Sequence, residues 1–138
     1  MLDIYEASEA LLMHATKRAK EIGVPMVMAV VDEGGNLVAF KRMKDSLLVS
    51  VDVAQGKAFT ALALDMPTDE VAKIITPGGP IYGMQVTNKG RIVAFGGGFP
   101  LYVEGKRMGG FGMSGGSVEE DMDCAQYAIS QIEGLETK

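Results

Sequence analysis

The stretch from Phe95 to Ala125 constrains this chain more than any other. Leu101 to Val103 reads as a strand, Glu104-Gly105 as a tight turn, and Arg107 to Met113 as the return strand of a hairpin. Gly109, Gly110 and Gly112 strip side chains from that return strand. Glycine within a strand weakens it and marks the close approach of another backbone or a ligand. Packing between subunits is the expected use of residues 109–112. Ser117 stands three residues before Glu120, which is capping-box spacing, and Glu119, Glu120 and Asp121 occupy the positive end of the helix dipole.

The same stretch contains Gly110, Gly112 and Gly115 in a G-x-G-x-x-G pattern. A dinucleotide site needs a further parallel strand and an acidic residue about 20 positions on. Only one helix and a short polar tail follow here, and three carboxylates in the helix's first turn repel a pyrophosphate. No nucleotide cofactor is expected.

With 138 residues and 47% of them apolar, the chain suits one domain, residues 1–138, with a single core. Cys124 is the only cysteine, so no internal disulfide can form. A net charge of −5 without a basic stripe argues against nucleic acid as a partner. No apolar run approaches a membrane span, and the N-terminus reads as an amphipathic helix rather than a signal peptide. A cytoplasmic protein is the expectation.

Residues 3 to 22 predict a helix burying Ile4, Leu11, Leu12, Ala15, Ala19 and Ile22, stopped by Gly23 and Pro25. Met26 to Val31 is an apolar run suited to a central strand, and Leu37 to Met43 returns from the turn at 32–36. Asp45 or Ser46 is expected to cap a second helix reaching Leu64, with Leu47, Leu48, Val51, Ala54, Ala58, Phe59 and Leu62 buried. Asp52, Gln55 and Lys57 are placed mostly off that stripe. Gly56 inside the helix is tolerable if another element packs close to it. Thr68 is expected to cap a short helix, Arg91 to Phe95 to form a short strand, and Val118 to about Glu133 the last helix. The order α-β-β-α-α-β-β-β-α, with strands in hairpins, predicts an α+β domain with a mostly antiparallel five-stranded sheet packed by helices.

Several blocks resemble one known family. Val24-Pro25-Met26, residues 29–37 and Phe40-Lys41-Arg42-Met43 look like the opening of the GlcG/HbpS family, which includes heme-binding and heme-degrading-like proteins and the C-terminal domain of PduO-type proteins. Residues 52–58, 77–83, 96–100 and 110–121 resemble its later blocks, in the family's order. The resemblance implies a profilin-like or PAS-like fold and a homo-oligomer. It also implies a small-molecule ligand, with heme or a related tetrapyrrole leading. Relatives beside glycolate and diol utilisation genes make an enzyme or accessory protein for a small carboxylate or diol the alternative. A structural or assembly role is the third reading. Cobalamin adenosylation belongs to a separate domain of PduO-type proteins that this chain does not resemble.

His14, the only histidine, is the candidate heme-iron ligand, because imidazole binds iron through a neutral nitrogen and some PduO-type relatives use a first-helix histidine this way. As a lone histidine on a charged helix edge it also reads as a plain surface residue. Lys57 is a candidate for binding a carboxylate or heme propionate, or else a surface lysine. Tyr82, on the Pro77-Gly78-Gly79-Pro80 loop, is placed to line a pocket or to anchor the loop. Arg91 and Gly97 complete the expected ligand contacts. Nothing suggests a triad, since one histidine excludes most Ser-His and Cys-His arrangements.

Overall fold

A computed structural model describes all 138 residues. Helix α1 (Ile4–Ile22) starts on Asp3, whose carboxylate accepts the Glu6 N–H at 2.8 Å, and ends where Gly23 turns left-handed at φ 72°. Strands β1 (Val27–Asp32) and β2 (Leu37–Arg42) form the first hairpin. Helix α2 (Ser50–Leu64) and the short α3 (Thr68–Ile74) follow. The hairpin of β3 (Gly98–Val103) and β4 (Lys106–Ser114) leads into α4 (Val118–Ser130), and β5 (Leu135–Glu136) closes the chain.

The α+β class and the five-stranded antiparallel sheet are as expected, with strand order β2-β1-β4-β3-β5. The fifth strand comes from a different place. Arg91 to Phe95 is not a strand, because its polar backbone is taken by α2: the Thr60 hydroxyl donates to the Arg91 carbonyl at 3.1 Å and accepts from the Val93 N–H at 2.9 Å. The polar tail instead supplies β5, where Leu135 is buried and pairs with Val103.

Layers form on both faces of the sheet. Met28, Val30, Phe111 and Met113 face α1 and α4 in one core, while Val27, Ala29 and Val31 meet Ala54, Ala58 and Leu62 of α2 on the other side. Strand β1 is therefore buried on both faces, as its continuous apolar run requires. Two of the three glycines of β4 serve α2, while Gly109 lies against the Val31 carbonyl of β1. A Cβ on Gly110 would lie 2.1 Å from the Ala58 carbonyl oxygen, and one on Gly112 would lie 2.1 Å from that of Ala54. The expectation of a subunit contact at 109–112 is thus corrected: the chain's own helix and the neighbouring β1 fill that space.

Helix α2 begins at Ser50, later than expected. Asp45 is left-handed at φ 69° and Ser46 bonds back to the Met43 carbonyl, so neither caps the helix. Leu47 and Leu48 then fall outside it and are exposed. Thr68 does not cap α3 either; its hydroxyl accepts the Gly98 N–H at 2.9 Å and ties α3 to β3. The capping box at Ser117 and Glu120 forms as the spacing predicts.

Candidate functional site

Gly56 lets the 91–93 segment lie against α2: a Cβ there would sit 2.6 Å from Val93 Cγ2 and 3.1 Å from the Arg91 carbonyl oxygen. Between this segment, α2 and the β1–β2 turn lies a cavity of about 430 Å³. Its apolar wall is Val31, Leu37, Val53, Phe59 and Val93, and its polar side chains are Asp52, Gln55, Lys89 and Arg91. The Arg91 guanidinium lies over the Phe59 ring, 3.8 Å from its centre, and its Nε donates to the Asn88 carbonyl at 3.0 Å. Stacking on an aromatic face and a fixed Nε set the orientation of the fork.

Lys57 stands elsewhere and corrects the expectation of a lysine off the apolar stripe. It is fully buried, with its Nζ 2.8 Å from the Met113 carbonyl and 2.9 Å from Asp121 Oδ2. Gly97 belongs here too, since a Cβ on it would lie 2.6 Å from Lys57 Nζ, and the ammonium sits 5.0 Å from the Phe95 ring centre. Asp121 Oδ1 accepts the Gly116 N–H at 2.9 Å. Burial pushes the Lys57 ammonium below its ordinary pKa, opposed by the attraction of Asp121. Burial likewise pushes the Asp121 carboxyl up, opposed by Lys57. A closed, mutually satisfied pair of this kind fastens α2 to β4 and α4.

The remaining expected residues are dispersed. His14 is half-buried on α1, does not line the cavity and has no hydrogen-bond partner. Pro77, Gly78 and Tyr82 are exposed and Gly79 half-buried, on a loop folded on itself through Gly79 N–H to Thr76 and Ile81 N–H to Ile74. Arg91 alone among the expected contacts lines the main cavity. No cluster of three or more His, Cys, Asp and Glu side chains is placed to hold a metal ion. Cys124 is buried, its thiol pushed up to about 12 by desolvation, so it is no nucleophile at neutral pH.

Sequence reasoning missed Asp121 as the partner of Lys57, because its place in the first turn of α4 already explained a carboxylate there. It also missed Phe59 and Gln55 as cavity wall. One signal for Lys57 was available: it follows Ala54 by three and precedes Ala61 by four, and that spacing shares one helix face.

A family model described as haem degrading protein HbpS-like matches residues 5–130. The chain belongs to the HbpS-like family. Its sequence is 43% identical over 128 residues to the corrinoid adenosyltransferase PduO of Citrobacter freundii, covering 93% of this chain and 38% of PduO. The chain thus spans well under half the length of that curated relative. An uncharacterized 15.0 kDa protein in the dhaT-dhaS intergenic region of Citrobacter freundii is 42% identical over 123 residues, covering 89% of this chain and 87% of that protein. Among solved structures, a PduOC:heme complex superposes with a TM-score of 0.92 at 42% identity, covering 95% of this chain and 94% of the other. The fold is therefore that of HbpS-like proteins, and no helix is long and apolar enough to cross a membrane.

Proposed function

We propose that this HbpS-like protein binds heme or a closely related tetrapyrrole, with His14 as the axial iron ligand. The observation that carries the reading is the 42% identity and TM-score of 0.92 to the protein in the PduOC:heme complex, over 95% of this chain. Heme iron in proteins takes an axial imidazole, thiolate, thioether or phenolate. The main cavity offers none of these, so it does not fit an iron porphyrin. His14 fits: it is the only imidazole, it is half-buried and thus held by its helix, and no protein group competes for it. Lys17, exposed and three residues on along the same edge, has no ion-pair partner and suits a propionate. Heme bound there supplies an iron centre able to take up ligands and electrons. One helix edge covers only part of a porphyrin, so a second copy of the chain against α1 supplies the remaining cover, in line with a homo-oligomer.

The test is a hemin titration followed by absorption spectroscopy, run on the wild type and on His14→Ala. The expected result is a saturable Soret band typical of histidine ligation, lost in the variant. Featureless binding that is equal in both proteins would overturn the assignment.

A further inference from the structure

We propose that the cavity between α2 and the Lys89–Val93 segment is a second site, which binds a small organic monocarboxylate with the Arg91 guanidinium as its anchor. Arg91 uses only its Nε within the protein; its two terminal nitrogens have no protein partner. Its fork is nevertheless pre-aimed, because Phe59 supports one face, the Arg91 carbonyl and the Val93 N–H are both bonded to the Thr60 hydroxyl, and the Arg91 N–H donates to the Asn88 carbonyl. A planar fork with two free donors matches a carboxylate bidentately. Lys89 on the same rim has no ion-pair partner, and Asp52 is the only carboxylate in the lining and pairs with neither cation. The lining therefore carries one net positive charge, which suits a monoanion.

The rest of the wall selects for a carbon chain. Val31, Leu37, Val53, Phe59 and Val93 give an apolar surface that inorganic phosphate cannot use. A volume of about 430 Å³ falls within the range of about 300–1,000 Å³ typical of small-molecule sites. This site shares no residue with the His14 edge, so it stands apart from the heme reading.

The experiment is a two-dimensional amide NMR titration of the heme-free protein with butyrate, with its uncharged amide butyramide, and with inorganic phosphate. Butyrate is expected to shift the Gly35, Gly56, Gly90 and Val93 amides saturably, and butyramide to leave them in place. Arg91→Ala is expected to weaken butyrate binding by about tenfold or more through loss of the charge-assisted pair. Lys89→Asn, which touches no hydrogen bond of the segment and keeps a residue tolerant of its left-handed backbone, is expected to weaken it by a smaller factor. Absence of saturable shifts with butyrate, or equal shifts with butyramide, would overturn the proposal. So would equal affinity in Arg91→Ala, or phosphate binding as tightly as butyrate.

Discussion

Lys57 Nζ and Asp121 Oδ2 lie 2.9 Å apart with side-chain exposures of 0% and 4%. They join residues 64 positions apart and hold the N-terminal end of α4 to the middle of α2. Each group is satisfied by a backbone partner besides the other: Lys57 by the Met113 carbonyl and Asp121 by the Gly116 N–H. Desolvating two charges costs most of what their attraction returns, so the pair adds little net stability while forbidding the loss of either member.

The pair therefore predicts a non-additive mutant cycle. Asp121→Ala strands a buried ammonium and is expected to cost about 3–5 kcal/mol in urea denaturation. Lys57→Met is expected to cost a similar amount by leaving the carboxylate unpaired. The double variant Lys57→Met with Asp121→Leu is expected to lose much less than the sum of the singles. Additive losses would show that the two side chains do not act as a unit.

Gly112 predicts a steric result. A Cβ there meets the Ala54 carbonyl oxygen at 2.1 Å and the Ala58 nitrogen at 2.7 Å, both backbone atoms of a helix that cannot yield locally. Gly112→Ala is expected to destabilise the protein by about 2 kcal/mol or more, despite alanine's better conformational propensity. Thermal unfolding that matches the wild type would mean that α2 does not approach β4 this closely.

Asp32 predicts a pH effect at the β1–β2 turn, a wall of the main cavity through Gly35. Its Oδ1 accepts the Asn36 N–H and the Gly34 N–H, both at 2.9 Å, and the bond from Asn36 holds its carboxyl below the ordinary 3.8, against partial desolvation. With the folded-state pKa depressed, the native protein binds fewer protons than the unfolded chain between the two values. The contribution is thus fully present above about 3.8 and is lost as pH falls through the lower folded value. An NMR titration of the Gly34 and Asn36 amides is expected to show a midpoint below 3.8, and Asp32→Asn to abolish it. A midpoint at or above 3.8 would show that the turn does not stabilise the carboxylate.

Local pattern was legible wherever one residue type has one use. The α1 stripe, the capping box at Ser117 and Glu120, and the buried β1 run are short-range signals, and all three form. The start of α2 was not legible. Leu47 and Leu48 continue the helical pattern, yet Asp45 before them is left-handed, Ser46 bonds back to Met43, and both leucines lie exposed ahead of the helix. The 91–95 segment has strand composition, yet a single hydroxyl, Thr60, draws its backbone to α2.

Sequence by itself determined the α+β class, the hairpins and the family, because hydrophobic period, turn chemistry and capping are properties of neighbouring residues. It also singled out His14 as the only imidazole and Arg91 as one of the expected ligand contacts. Tertiary structure alone decided that Lys57 is an interior ion-pair partner, that Gly110 and Gly112 of β4 seat α2, and that Arg91 faces a cavity with Phe59 behind it. Each of these depends on contacts between segments dozens of residues apart. Helical spacing hinted that Lys57 shares the buried face, but the partners of a side chain are set by what packs over it, and local pattern does not name them.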